Sequence, residues 1–193
     1  MNYLVHLYLS DPDPLCRLGN LMGDFIKGPL GDHWPPPIGR GLRQHRRIDA
    51  FAQRHQAFHR SKGRIDPAFG HCRGILVDVF YDHLLARSWD DHADLPLEEF
   101  AAAVYRTLEA NFNLLPPALQ KVAPRMIGHD WLVSYREPSN VARALERLGQ
   151  RLSRPNLLAG GLPELLTNLP GLSQDCEAFL TDARTHLQTQ PLI

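Results

Sequence analysis

Apolar residues recur along most of the chain at the three- to four-residue spacing of amphipathic helices, and the alternation typical of β-strands is scarce. The predicted helices span residues 14–27, 38–61, 68–89, 96–113, 139–152 and 173–187, with a shorter one that starts at residue 116. Glycine and proline residues punctuate the intervals, and a loop is predicted over residues 31–37. The pattern therefore predicts an all-α fold.

The predicted helix over residues 68–89 has the widest apolar face in the chain. This face is formed by Ile75, Leu76, Val79, Phe80, Leu84 and Leu85. A helix with so broad a hydrophobic face is expected at the centre of the fold. The 193 residues, 44% of them hydrophobic, suffice for one core, so residues 1–193 are predicted to form a single compact multi-helix domain.

The overall charge balance argues against a general attraction to nucleic acids or membranes. Lys and Arg together number 21, as do Asp and Glu, and the formal net charge is zero. No apolar stretch approaches the roughly 20 residues that a membrane helix needs. The three cysteines form no metal-type pair, and the first ten residues do not resemble a secretory signal. These features predict a cytoplasmic protein.

Positive charge is concentrated in residues 40–64, which hold eight basic residues and one acidic residue, a formal charge of +7. Such a segment is expected to attract an acidic partner, with Arg40, Arg43 and Arg54 as docking residues. The two aromatic residues, Phe51 and Phe58, follow the apolar spacing, which favours an acidic protein over nucleic acid. The alternative is a solvated helix face balanced by the acids of residues 90–99.

The first of three segments with unusual polar groups is GNLMGDFIKG, residues 19–28. Asp24 lies there between Met22 and Phe25, and a carboxylate that faces a core is costly unless it is paired or binds a metal ion. Lys27 could neutralise this carboxylate or meet a phosphate. The alternative is an aspartate at a helix end that is satisfied by the backbone or by an arginine.

The second segment is HRRID, residues 45–49. On a helix His45 and Asp49 share one face, which suits two ligands of one ion or a histidine oriented by a carboxylate. Arg46 and Arg47 lie beside them, and guanidinium groups match phosphate oxygens well. The alternative is an ordinary His–Asp pair at the surface.

The third segment is DVFYDH, residues 78–83, in the middle of the most apolar predicted helix. Asp78 and Asp82 share a face, and a divalent cation would remove the repulsion between them. His83 follows directly. The alternative is salt bridging to arginines of the helix that carries His45. His6, alone in an apolar stretch, is kept as a reserve ligand.

These candidates offer imidazole and carboxylate groups but no thiolate. A donor set of this kind suits Mn, Fe, Mg or Zn, and its share of carboxylates favours the harder ions Mn and Mg. Such an ion can activate a water molecule and hold a phosphoryl oxygen. The segments together therefore predict a divalent metal site.

Four blocks of the sequence resemble the acyl carrier protein phosphodiesterase family. The blocks are MNYLVHLYLS, GNLMGDFIKG, HRRIDAFAQRH and GILVDVFYDHLLARSW, and HDWLVSYRE is similar to the second half of the family. The resemblance implies an all-helical fold related to the HD-type phosphohydrolases and a divalent metal ion, usually manganese. The contiguous His-Asp doublet of HD enzymes is absent here, where Asp82 and His83 occur in the reverse order.

The resemblance also implies a function in lipid metabolism, the hydrolysis of holo-acyl carrier protein to apo-protein and 4′-phosphopantetheine. The predicted metal ligands are Asp24, His45, Asp78 and Asp82, and the predicted catalytic residues are His83, Asp49, Arg46 and Arg47. Two alternatives stay open. One is an HD-like nucleotide phosphohydrolase, and the other is a non-catalytic helical module that binds an acidic protein.

Overall fold

The computed structural model describes residues 3–31 and 33–189, and all its regular secondary structure in these ranges is helical. The α-helices are α1 (Tyr3–Tyr8), α2 (Pro14–Met22), α3 (Pro36–Ala52), α4 (Gln56–Arg64), α5 (Arg73–Arg87), α6 (Leu97–Ala110), α7 (Pro117–Gly128), α8 (Trp131–Ser134), α9 (Pro138–Arg151), α10 (Leu162–Thr167) and α11 (Leu169–Thr189). Short 3₁₀ helices span Gly23–Phe25, Pro67–Cys72, Trp89–Asp91, Phe112–Leu114 and Leu158–Gly160. The prediction of an all-α fold is confirmed.

Helix α5 is the centre of the core, as its apolar face predicts. Ten of its fifteen residues are buried, and the helix packs against α1, α4, α9 and α11. Among its buried residues are two polar ones, Asp82 and His83. Both therefore need partners inside the protein rather than in solvent.

Helices α2 and α3 cross with their backbones in contact. A Cβ atom on Gly41 of α3 would lie 1.9 Å from the carbonyl oxygen of Cys16, and one on Gly19 of α2 would lie 2.2 Å from the carbonyl oxygen of Ile38. Only glycine fits at these two positions. This close crossing sets the position of α3, and of the histidine and aspartate side chains it carries, relative to α2 and the turn that follows.

Two helices differ from their predicted extents in the region that forms the site. The helix predicted over residues 14–27 ends at Met22 and continues as the 3₁₀ helix Gly23–Phe25, so Asp24 lies on a tight turn. The helix predicted over residues 38–61 is divided into α3 and α4, because His55 adopts an extended conformation before α4 begins. The His55 ring lies 3.0 Å from Asp182 of α11, a contact to a distant element that periodicity does not reveal.

The predicted start of the central helix is also wrong. Residues 67–72 form a 3₁₀ helix instead of the first α-helical turn, and Gly70 within it has a positive φ of 51° that interrupts helical geometry. The loop predicted over residues 31–37 includes Asp32, which lies outside the described residues, and α3 already begins at Pro36. Within the described residues, the longest apolar helical stretches fall short of what a membrane-spanning helix requires.

Candidate metal centre

Three side chains converge between α1 and α3. His6 comes from α1, and His45 and Asp49 come from successive turns of α3, with potential ligand atoms that all lie within 4.8 Å of one another. The Nε2 atom of His6 lies 3.2 Å from Oδ1 of Asp49, and the Nε2 atom of His45 lies 3.3 Å from Oδ2 of the same carboxylate. The two imidazole rings stack with their centroids 4.0 Å apart. We call His6, His45 and Asp49 the His–His–Asp cluster.

The orientation of His6 is set by Asn20, a fully buried residue of α2. The Nδ2 group of Asn20 donates a hydrogen bond to the carbonyl oxygen of His6, at 3.1 Å. The Oδ1 atom of Asn20 must therefore be the atom that lies 3.1 Å from Nδ1 of His6, and it can only accept a hydrogen bond. Hence Nδ1 of His6 carries the proton, and Nε2 is the free nitrogen of the neutral ring.

This tautomer brings two electron-rich atoms together. The lone pair of His6 Nε2 faces a carboxylate oxygen of Asp49 at 3.2 Å, so neither atom has a hydrogen to share unless a second proton binds to the ring. A cation between the two atoms removes the repulsion, and a metal-bound histidine commonly donates its other ring N–H to a fixed acceptor such as the Asn20 oxygen. The contact is the geometry expected of two ligands of one ion.

His45 faces a second carboxylate. Its Nε2 atom lies 3.7 Å from Oδ1 of Asp24, and Asp24 is largely buried. The ring packs directly on Gly23, where a Cβ atom would lie 2.2 Å from Cγ of His45. Nδ1 of His45 is buried and has no hydrogen-bond partner among the described residues. The 3₁₀ turn thus brings Asp24 to the His–His–Asp cluster, and Gly23 leaves room for the ring.

The spacing of the donors fits a first-row metal ion. Ligands about 2.1 Å from one ion are separated from each other by about 3.0 Å in octahedral and about 3.4 Å in tetrahedral geometry. The separations of 3.2, 3.3 and 3.7 Å around Asp49 and His45 lie close to these values. The mixed imidazole and carboxylate donors are compatible with Mn, Fe or Zn, so the residues present fit the ion that the sequence predicted.

Asp49 is held in its charged form. Partial burial by itself would raise the pKa of this half-exposed carboxyl, but the neighbouring histidines, foremost through a hydrogen bond from His45, outweigh that effect and hold its pKa well below the usual range. The carboxylate is therefore negative at neutral pH, which a metal ligand requires.

Asp82 contributes through α1 rather than through the His–His–Asp cluster. Its Oδ1 accepts a hydrogen bond from the backbone N–H of Val5 at 2.9 Å, while Oδ2 is buried without a hydrogen-bond partner among the described residues. Burial raises the pKa of Asp82 to about 8, although the backbone N–H groups of Val5 and Leu4 act in the opposite direction. The carboxyl anchors the start of the helix that carries His6.

Asp78, one turn before Asp82, lies close enough to interact with the His–His–Asp cluster. Burial is the main cause that raises its pKa; the charge of Asp49 raises it further, and His6 lowers it. Its assignment as a ligand remains a prediction.

The other predicted catalytic residues make contacts outside the His–His–Asp cluster. His83 is buried, and its Nδ1 lies 2.7 Å from the carbonyl oxygen of Tyr135, to which it can donate a hydrogen bond. Arg46 is exposed and donates to the carbonyl oxygen of Gly28. Arg47 places one buried terminal nitrogen where no described residue accepts a hydrogen bond from it. Among the described residues none of these three side chains is part of the His–His–Asp cluster, and their catalytic roles remain predictions.

Part of the basic segment is engaged in ion pairs. Arg60 and Arg64 contact the two carboxylate oxygens of buried Asp175 in α11, at 2.7 and 3.0 Å. For these two arginines the acidic partner belongs to α11 and not to residues 90–99. The single negative charge of Asp175 offsets one of these two positive charges, so part of the charge of the segment is not available to an acidic partner.

The predicted docking residues are more accessible. Arg43 and Arg54 are exposed, and the Arg54 Nε donates a hydrogen bond to the carbonyl oxygen of Ala50 in its own helix. Arg40 lies 3.6 Å from Asp13, and both side chains are more than one-third exposed. All three can reach a partner at the surface of α3 and the turn that follows it.

Sequence comparison connects these features to known proteins. A family model described as acyl carrier protein phosphodiesterase matches residues 1–183. Similar curated proteins are the acyl carrier protein phosphodiesterases of Yersinia enterocolitica, 28% identical over 180 residues and 93% of each chain, and of Klebsiella pneumoniae, 31% identical over 170 residues, 87% of this chain and 88% of the relative. That of Pectobacterium atrosepticum is 29% identical over 166 residues and 86% of each chain. No solved structure matches the chain.

Proposed function

The chain belongs to the acyl carrier protein phosphodiesterase family, and on this basis we propose that it is a metal-dependent enzyme that hydrolyses holo-acyl carrier protein to apo-protein and 4′-phosphopantetheine. The observation that carries the metal dependence is the contact between the free Nε2 of His6 and the carboxylate of Asp49. A cation between these two atoms would remove their repulsion. The activity for which the family is named implies that such an ion acts on a phosphodiester bond.

His6, His45 and Asp49 would hold the ion, with Asp24 and Asp78 as further carboxylates beside them. A bound divalent ion lowers the pKa of a coordinated water molecule and withdraws charge from a phosphoryl oxygen, and we take Mn²⁺ as the ion. The carboxylates supply the negative charge that retains a hard cation, and the neutral imidazoles limit that charge so that an anionic phosphodiester can approach.

The remaining residues of the site position these groups. Asn20 fixes the ring of His6, and Asp82 holds the backbone at the start of α1. Arg46, on the exposed side of α3, is proposed to contact the phosphoryl oxygens after leaving the carbonyl of Gly28. His83 is bound to the carbonyl of Tyr135, so this proposal does not use it as the acid that protonates the leaving oxygen.

The first experiment measures conversion of holo-carrier protein to apo-protein by mass spectrometry, with protein stripped of metal by a chelator and then dialysed. We expect no conversion without added metal and recovery with Mn²⁺ but not with Ca²⁺. Asp49→Asn should lower the rate by about two orders of magnitude or more, since it removes a charged ligand. The matched control is Asp182→Asn, which alters the exposed His55–Asp182 pair of the same residue types and should leave the rate unchanged.

Full activity in the metal-stripped protein would refute the proposed metal dependence. Conversion of nucleotides in place of carrier protein by the Mn²⁺-loaded enzyme would refute the proposed substrate. Equal rates for Asp49→Asn and the wild type would remove the His–His–Asp cluster from the mechanism.

The acidic carrier protein is proposed to dock on the exposed arginines of α3 and the turn after it. Arg43→Glu should raise the KM for carrier protein while a small phosphodiester is hydrolysed at the wild-type rate, and the difference should shrink at high salt because exposed charges are screened. Arg106→Glu, an exposed arginine of α6, is the matched control. An unchanged KM at low salt for Arg43→Glu would exclude this docking surface.

A further inference from the structure

A cavity of about 510 Å³ lies between α7, α8 and α9, with Tyr3 of α1 at one side. This volume is within the range of small-molecule binding sites, about 300–1,000 Å³. The cavity is separate from the His–His–Asp cluster, none of whose members lines it. Its chemistry therefore needs an explanation of its own.

The walls of the cavity carry five cations from two facing helices. Lys121 and Arg125 come from α7, and Arg143, Arg147 and Arg151 come from α9. All five are exposed, and no Asp or Glu lines the cavity. Within residues 3–31 and 33–189 none of them forms an ion pair with a carboxylate. Five uncompensated charges in one concave site are a strong attraction for anions.

The cations are arranged in rows. The three arginines of α9 are four residues apart and so share one face, along which they extend about 12 Å. The two cations of α7 are also four residues apart. A row of this length exceeds the size of a single phosphate group, and several guanidinium groups can bind phosphate oxygens in pairs. The arrangement favours an elongated anion with several negative charges.

The floor of the cavity is apolar and aromatic. Val122, Ala144 and Leu148 line it together with Trp131, whose ring centre lies 5.4 Å from the guanidinium carbon of Arg147. The indole N–H of Trp131 is buried without a hydrogen-bond partner among the described residues. A ligand that fits has an uncharged part for this floor as well as anionic groups for the rows of cations.

We propose that this cavity binds a small molecule that carries a diphosphate group, with the phosphates on the arginines of α9 and the facing cations of α7. A diphosphate supplies about three negative charges over two linked groups, which matches an extended row of cations better than one phosphate does. A concave site of this volume is within the size range of small-molecule sites, which favours a small ligand over a protein segment. The diphosphate can belong to a nucleotide, whose base would cover Trp131, or be free pyrophosphate.

The test is isothermal titration calorimetry of the full chain at low salt, after removal of metal by chelation and dialysis so that the metal centre cannot retain phosphate. The probes are inorganic pyrophosphate and ADP. We expect saturable binding of at least one of them, and Arg147→Ala and Lys121→Ala, on opposite walls, should each weaken it about tenfold. Arg106→Ala, the exposed control on α6, should bind as the wild type does.

The two sources of the diphosphate give different results within this test. A nucleotide ligand is indicated if ADP binds more tightly than pyrophosphate and Trp131→Leu removes the difference. Free pyrophosphate is indicated if the two affinities are equal. Circular dichroism melts of the variants verify that each is folded.

The proposal is overturned if neither probe binds to the wild type, or if binding is the same in Arg147→Ala and Lys121→Ala as in the wild type. It is also overturned if a hexaglutamate peptide binds more tightly than both probes and displaces them, which would make the cavity a site for an acidic protein segment. Because the titration uses no metal and no carrier protein, its outcome is independent of the proposed phosphodiesterase activity.

Discussion

Replacement of Asp82 by asparagine should make the metal-free protein more stable at alkaline pH. The wild-type carboxyl is fully buried, and burial raises its pKa from the ordinary value of 3.8 to about 8. Between these two values the folded protein keeps the proton while the unfolded chain releases it. The unfolded state therefore binds fewer protons, and stability falls as the pH rises through this interval.

The size of the effect follows from the two pKa values. Between about pH 5 and about pH 8 the wild type should lose roughly 3–4 kcal/mol of unfolding free energy through Asp82, and the asparagine variant should not show this loss. The amide oxygen of asparagine can still accept the hydrogen bond of Val5. Its NH₂ group has no evident acceptor, which costs about 1–3 kcal/mol at every pH. The variant should thus be the less stable protein at acidic pH and the more stable one at alkaline pH.

The measurement is urea denaturation of chelated and dialysed protein across this pH range. It gives the pH at which the unfolding free energies of the wild type and the variant become equal. Two other buried groups have shifted pKa values: burial raises the pKa of Asp78, which also interacts electrostatically with Asp82, and burial lowers the pKa of His83. The variant therefore removes the titration of Asp82 together with its interaction with Asp78. Asp91→Asn changes an exposed carboxyl in the same way and should leave the pH profile unaltered. Parallel profiles for Asp82→Asn and the wild type would refute the assignment of a buried, protonated carboxyl at this position.

Two glycine substitutions test the packing that builds the site. Gly23→Ala should weaken Mn²⁺ binding, measured by calorimetry, because its Cβ would lie 2.2 Å from the ring of His45 and displace it. Unchanged affinity would show that the ring can move without loss. Gly41→Ala should lower the unfolding free energy by about 1–3 kcal/mol or more, since its Cβ would meet the backbone of α2 at Cys16. The matched control is Gly39→Ala in the same helix, because the atom nearest to its added Cβ lies 3.6 Å away in the flexible side chain of Arg43. This variant should be slightly more stable than the wild type. Equal losses of unfolding free energy in the Gly41 and Gly39 variants would contradict the close crossing.

Much of the fold could be predicted because the apolar residues of a helix recur every three to four positions, a pattern that depends only on residues close together in sequence. The spacing of apolar residues in α5 indicates its central burial directly, and proline residues give the starts of α6 and α7 to within a residue. The division between α3 and α4 could not be predicted in this way. It contains neither proline nor glycine, and it coincides with a contact between His55 and Asp182, which is 127 residues distant.

The candidate site was predicted in part for the same reason. His45 and Asp49 share a face of one helix, so their proximity follows from their spacing. The contribution of His6 depends on how α1 packs against α2 and α3, and the fixing residue Asn20 gave only a faint signal, an amide within an apolar stretch. His83 shows that proximity in sequence does not imply proximity in the site. Adjacent residues of a helix do not share a face, and the His83 side chain contacts the carbonyl oxygen of Tyr135.

The candidate metal ligands His6, Asp24 and His45 come from three separate segments, which has a consequence for the abundance of the protein. His6 lies in α1, Asp24 on the 3₁₀ turn and His45 in α3. An ion bound at this site would therefore link segments that are not held together in the unfolded chain. A ligand present at a thousand times its Kd adds about 4 kcal/mol to stability, against a total of about 5–15 kcal/mol for a typical domain. Cells starved of the metal would then hold less of the protein, because proteases act on unfolded chains, and not merely the same amount in an idle form.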